Sequence, residues 1–109
     1  MKERKPNIVL INCDDLGYGD LGCYGSSVNK TPTIDEMANE GIKFTDFYMA
    51  SSVCTPSRGA MMTGCYPVRI GFGSFGGARV LFPGQGLGLK NKKKTIASVL
   101  KDEGYQTML

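Results

Sequence analysis

Asn7-Ile8-Val9-Leu10-Ile11-Asn12 is the stretch on which the fold turns. Its central residues are apolar without alternation. A strand with one wet face alternates apolar and polar residues. An unbroken apolar run suits a strand covered on both faces, as in a parallel α/β sheet. Cys13-Asp14-Asp15-Leu16-Gly17 follows at once and opens a loop reaching Lys30, with further glycines at Gly19, Gly22 and Gly25. In open α/β sheets, ligands gather where the strands end.

Outward from that strand, Thr33-Ile34-Asp35-Glu36 reads as a capping box, with Thr33 as N-cap and Glu36 reaching back. It predicts a helix over 34–40 with Ile34, Met37 and Ala38 on one face and Gly41 just past its end. The segment 42–50, apolar and aromatic, predicts a strand. Ser57–Thr63 predicts a short helix ended by Gly64. A glycine-rich connection runs from Gly71 to Gly88 and contains Pro83. Thr95 then caps a helix carrying Ile96, Val99 and Leu100 on one face, with Gly104 at its end, and 105–109 begins another strand. The fold class is therefore α/β. A parallel sheet needs helices on both faces, and these elements are too few to supply them. The expectation is a truncated N-terminal piece of a larger α/β protein, one incomplete domain over 1–109, rather than a small complete domain.

Composition narrows the chemistry. The chain has 109 residues, room for one domain. Hydrophobic residues at 41% and charged residues at 21% exclude a disordered tail. There is no histidine, which removes a Ser-His-Asp triad, a Cys-His pair and a His-ligated zinc site from this chain. A net charge of +3 suits an anionic ligand without demanding one. The basic run Lys90-Asn91-Lys92-Lys93-Lys94 has no interleaved aromatics, so it reads as a solvated loop and not as a nucleic-acid patch. The apolar run Ile8–Ile11 is far shorter than a signal h-region or a membrane span. As written, the chain is expected in the cytoplasm; it would be periplasmic or secreted if its N-terminus were processed or truncated. Cys13, Cys23, Cys54 and Cys65 form no C-x-x-C pair, and the default for each is a small buried thiol.

Three features bear on chemistry. Asp14-Asp15 places adjacent carboxylates directly after the strand. Their repulsion needs a cation or hydrogen bonds to offset it, and hard divalent cations take such oxygens. Acids at strand ends also cap turns, and that reading stays open. Cys54-Thr55-Pro56-Ser57-Arg58, followed by Thr63-Gly64, sets a thiol just before a helix. A helix N-terminus favours anions and activates a thiol, and Arg58 one turn on adds a fork-shaped donor for sulfate or phosphate. A buried cysteine and a surface arginine would give the same residues a bland meaning. Gly71-Phe72-Gly73-Ser74-Phe75-Gly76 matches G-x-G-x-x-G, but Pro67 disturbs the segment before it and position 96 is isoleucine where an acid is required. The dinucleotide reading is rejected.

These residues together resemble a known family. Pro6–Ile11 with Asp14-Asp15-Leu16-Gly17-Tyr18-Gly19-Asp20-Leu21-Gly22-Cys23-Tyr24-Gly25, then Thr31-Pro32-Thr33-Ile34-Asp35 and Gly41-Ile42-Lys43-Phe44, is similar to the opening of a sulfatase of the arylsulfatase type, within the alkaline-phosphatase-like superfamily. The stretch from Cys54 to Gly64 matches the C-x-P-S-R-x-x-x-x-T-G signature at every fixed position. The resemblance implies a mixed or parallel sheet flanked by helices. It implies a sulfuric ester hydrolase acting on sulfate esters of an aryl or carbohydrate compound, a small molecule or a glycan.

In that family's chemistry Cys54 is oxidised to formylglycine by a formylglycine-generating or maturating enzyme. One hydroxyl of the hydrated aldehyde attacks sulfur and the other expels sulfate, where a serine ester would be stranded. By the same resemblance Asp14, Asp15 and the modified Cys54 ligate Ca²⁺, with Mg²⁺ as the alternative, and Arg58 offsets charge on the nucleophile. Pro56 and Arg58 belong to the signal read by the modifying enzyme. Family members continue beyond a segment like Thr95–Leu109 into a Gly-Lys-Trp-His stretch, and later into an Asp-Asn pair, a histidine and a second lysine, none of which is in these residues. The fragment alone is therefore expected to lack turnover. The competing readings are a phosphonate or phosphodiester hydrolase of the same superfamily, and a non-catalytic fragment or pseudoenzyme in which Cys54 stays a thiol.

Overall fold

The computed structural model describes residues 4–73 and 80–108. They form two compact units, Met1–Thr45 and Asp46–Leu109. The first unit carries 3₁₀ turns at Tyr18–Asp20 and Gly22–Tyr24 and helix α1, Pro32–Glu40. The second carries α2, Cys54–Thr63, a 3₁₀ turn at Pro67–Ile70, and α3, Ile96–Asp102.

Helix α1 begins earlier than its apolar pattern suggests. Its N-cap is Thr31, with Pro32 in the first turn. A proline costs nothing there, because the N–H it lacks would have no partner inside the helix. The capping box at Thr33 and Glu36 is thus superseded, and both residues lie inside the helix. The half-buried face of α1 is also not the expected one. Thr31, Asp35 and Ala38, spaced i, i+4 and i+7, are half-buried, while Ile34 and Met37 are exposed. The helix docks on the turn Gly22–Tyr24 through polar side chains.

Helix α2 likewise starts ahead of its expected first residue Ser57. Val53 is the N-cap and Cys54 the first helical residue, and Ser57 N–H closes the opening helical bond on Val53 O at 3.1 Å. Pro56 falls within the first turn, where its missing donor is again harmless. Gly64 ends the helix in the left-handed conformation (φ 63°), with its N–H on Ala60 O at 2.8 Å. Helix α3 has the ends that the sequence predicts, but of its expected apolar face Ile96 and Val99 are exposed and only Leu100 is half-buried. Thr95 and Ser98 cap each other, with Ser98 N–H on Thr95 Oγ1 (3.2 Å) and Thr95 N–H on Ser98 Oγ (2.8 Å). At its end Tyr105 N–H reaches Leu100 O and Gly104 N–H reaches Lys101 O, both at 3.0 Å, with Gly104 left-handed. That is the Schellman arrangement, which pairs carbonyls the helix leaves open.

The expected strands do not form among the described residues. Segments 7–12, 42–50 and 105–108 have no ladder. A strand exists through its neighbour, because an isolated extended segment cannot pair its own N–H and C=O groups. Burial fails with pairing, and Val9 and Ile11 are 82% and 74% exposed instead of covered on both faces. Cysteine burial also differs from the default: all four are free, Cys13 and Cys54 exposed and Cys23 and Cys65 half-buried.

The buried residues among those described are Pro56, Ser57, Gly59, Ala60, Pro67 and Ile70, all in α2 and the turn after it. Gly59 is the tightest point. A Cβ there would stand 2.6 Å from the Phe72 ring and 3.0 Å from Ile70 Cδ1, so the ring can lie on α2 only over a glycine. Gly59→Ala is expected to destabilise the protein by about 1–3 kcal/mol through overpacking. Urea unfolding of wild type and variant would measure it, and equal midpoints would refute this packing.

Candidate functional site: a cysteine helix and an acidic loop

The second unit presents Cys54 and Arg58 on one helical face. They are four residues apart in α2, one turn, and both are exposed. Two of the residues between them are buried, Pro56 fully and Ser57 to 8% exposure, while Thr55 is half-buried. The thiol and the guanidinium thus lie exposed on either side of the buried pair Pro56-Ser57. The N-cap Val53 offers no side-chain hydrogen bond to the helix. The amides of the first turn are therefore not satisfied by a cap, which is the condition under which a helix N-terminus receives an anion.

Thr55, the first variable position of the signature, has a part that sequence reasoning missed. Its Oγ1 accepts Leu81 N–H at 2.9 Å. The described end of the glycine-rich connection is thereby held beside the first turn of α2. The G-x-G-x-x-G match at 71–76 lies partly outside the described residues, and the 3₁₀ turn Pro67–Ile70 stands before it where a dinucleotide site would need a strand. Lysines 90–94 line an exposed turn, where Lys94 pairs with Asp102 at 3.1 Å, a contact of little energetic weight at that exposure.

The first unit holds the acids. Asp14 and Asp15 are exposed, and Asp15 has a left-handed backbone (φ 51°), the one non-glycine residue described with positive φ. Aspartate tolerates this region better than most residues, at a cost of roughly 1 kcal/mol. The bend turns the chain sharply between the apolar run and the loop. Two carboxylates are hard oxygen donors of the kind Ca²⁺ takes, so the donor chemistry fits that ion as part of its shell of roughly six to eight ligands. Among the described residues, no group of three or more His, Cys, Asp or Glu side chains comes together to hold a metal, so the pair supplies only part of such a shell.

Behind the acids the loop is knitted. Gly17 N–H donates to Asp20 Oδ2 at 2.8 Å, and Asp20 N–H to Gly17 O at 3.1 Å. Asn29 Nδ2 donates to Asp20 O at 3.1 Å. Tyr18 and Tyr24 meet edge to face with centroids 4.7 Å apart. Lys43 Nζ donates to Cys23 O at 2.7 Å and lies 5.4 Å from the Tyr24 ring centroid. Tyr24 O–H donates to Phe44 O at 2.7 Å.

Against this geometry the comparisons are direct. Residues 6–109 match the sulfatase family. Arylsulfatase A of Homo sapiens is 53% identical over 104 residues, covering 95% of this chain and 20% of that protein. Steryl-sulfatase of Homo sapiens is 50% identical over 106 residues, 96% of this chain and 18% of that protein. An arylsulfatase of Hemicentrotus pulcherrimus is 48% identical over 103 residues, 94% and 18% respectively. The chain belongs to the sulfatase family, whose domain has an alkaline-phosphatase-like fold. It spans about a fifth of the length of these relatives.

Partial desolvation, followed by the nearby Tyr18 and Cys23, pushes the Tyr24 phenol above its ordinary value of 10.0. A group whose folded-state value is raised contributes stability that is whole below the unfolded value and is lost as pH rises through the folded one. Stability is therefore expected to fall above about pH 10, and Tyr24→Phe, which has no phenol to ionise, should lose less between about pH 8 and about pH 11. Denaturant unfolding at both pH values checks this; equal losses would count against it.

Proposed function

We propose that this chain carries the nucleophile helix and the metal loop of a sulfuric ester hydrolase acting on aryl or carbohydrate sulfate esters, with residue 54 as formylglycine and Ca²⁺ as the metal. The observation that carries the reading is the start of α2: Cys54 is exposed at the first helical position, Arg58 shares its face, and Pro56 and Ser57 between them are buried. The arylsulfatase and steryl-sulfatase relatives support the ester class by their names.

The roles follow from the residues. Position 54 bears the attacking oxygen, and its exposure lets a sulfate ester approach. Conversion of the thiol to formylglycine, by a maturating enzyme that acts on this sequence, supplies a hydrated aldehyde whose second hydroxyl lets sulfate leave by elimination. The uncapped amides of the first turn and the Arg58 guanidinium draw the sulfate's charge toward residue 54 and stabilise the negative oxygens as they develop. Asp14 and Asp15, with residue 54, would hold the Ca²⁺, which supplies further positive charge to the bound ester.

The remaining metal ligands and a general acid for the departing alcohol are assigned to residues outside this chain, because two adjacent carboxylates fall short of a calcium shell and the chain has no histidine, the commonest general acid. The partners of the apolar segments 7–12 and 42–50 in a flanked parallel sheet are assigned to the same remainder. These 109 residues alone are accordingly expected to show no sulfatase turnover.

Peptide mass spectrometry across residues 43–69 of the full-length protein tests the nucleophile. Conversion of Cys54 to the aldehyde makes the peptide lighter, whereas a thiol that alkylates in every molecule supports the non-catalytic reading. Matched sulfate and phosphate esters test the reaction; faster phosphonate or phosphodiester cleavage would favour the neighbouring hydrolase class. Cys54→Ala should abolish sulfate release, and Arg58→Lys should lower kcat/KM by about 100-fold, because the ammonium cannot reproduce the planar two-pronged contact. Steady-state kinetics on an aryl sulfate reads both.

A further inference from the structure

The turn Gly22–Tyr24 is fastened to α1 by a clasp that the chemistry above leaves unused. Cys23 N–H donates to Asp35 Oδ1 at 2.7 Å. Thr31 Oγ1 donates to the same carboxylate oxygen at 2.9 Å and accepts Gly22 N–H at 2.8 Å. All these groups are partly buried. Hydrogen bonds from backbone amides to a carboxylate are among the stronger kinds. Gly22 is what permits the approach, since a Cβ there would lie 2.5 Å from Asp35 Oδ2.

The clasp is continued toward the acids by a series of bonds that ends at Gly17. From Gly25 back to Gly17 successive turns are closed: Gly25 N–H on Gly22 O, Tyr24 N–H on Leu21 O, Leu21 N–H on Tyr18 O, and Gly17 N–H on the Asp20 carboxylate. Only Leu16 separates this knitted stretch from Asp15, whose left-handed backbone then sets the direction in which the acidic pair leaves the loop.

We propose that Asp35 is a positioning residue for the Asp14–Asp15 pair: by binding the Cys23 amide and Thr31, its carboxylate fixes the loop from which the two metal-ligating acids project. The proposal rests on the reading of Asp14 and Asp15 as Ca²⁺ ligands. A partner bonded directly to a metal ligand is worth roughly 10–100-fold in metal affinity; Asp35 acts through the loop backbone, so the lower end of that range applies.

The test titrates Ca²⁺ alone into the metal-stripped full-length protein by calorimetry, with amide hydrogen exchange followed at Gly22 and Cys23. Asp35→Ala and Gly22→Ala are expected to weaken Ca²⁺ binding by about 10-fold and to speed exchange at both amides. Asp35→Asn, which keeps one acceptor oxygen for the Cys23 amide, should lie between them and wild type. If the stronger variants do not fold, Asp35→Asn and Thr31→Val carry the comparison, each with a smaller loss. A folded Asp35 variant with a lower unfolding midpoint but unchanged Ca²⁺ affinity would make Asp35 merely structural and overturn the proposal, leaving the metal reading intact. Wild-type protein that binds no Ca²⁺ would overturn both.

Discussion

Phe72 lies across Gly59 at a distance that no side chain larger than hydrogen allows. The second unit is arranged around that contact. Here the turn Pro67–Ile70 packs on α2, Pro56, Ser57, Ala60 and Ile70 are buried, and Cys54 and Arg58 are exposed. The exposed Cys54 and Arg58 thus stand on a helix whose opposite face is buried. The signature's proline and serine are buried and its cysteine and arginine are open to solvent, all within a turn and a half of helix.

The first unit uses the opposite device. Its helix α1 docks by Thr31 and Asp35, and leaves Ile34 and Met37 outside. Polar docking of this kind is directional: a carboxylate accepts amides in a narrow range of angles, whereas apolar contact permits sliding. A loop that must hold two mutually repelling carboxylates gains from directionality. The left-handed Asp15 and the Gly17–Asp20 turn belong to the same economy of local bonds.

Much of the site could be read along the chain. The signature from Cys54 to Gly64 and the Asp14-Asp15 pair are contiguous, so their recognition needs no tertiary information. Caps were partly readable: Thr95 and Gly104 bound α3 as their residue types predict, because capping is a short-range matter. At α1 the Thr-Pro pair at 31–32 was the better cap signal, and the competing Thr33–Glu36 pattern hid it. The apolar runs at 7–12 and 42–50 misled for a different reason. Their pattern reports the surroundings they suit, and pairing needs neighbours that the described residues do not provide.

The sequence by itself determined the family, the order of the acidic loop and the nucleophile helix, and the residue types available for chemistry, since each of these is written in adjacent positions. Tertiary structure alone decided that α2 opens at Cys54, that Thr55 holds Leu81, and that Asp35 reaches back to the amide of Cys23. The physical reason is separation along the chain. A hydrogen bond across 12 or 26 residues leaves no periodicity and no local motif, and it comes into being only when packing has brought its two ends together.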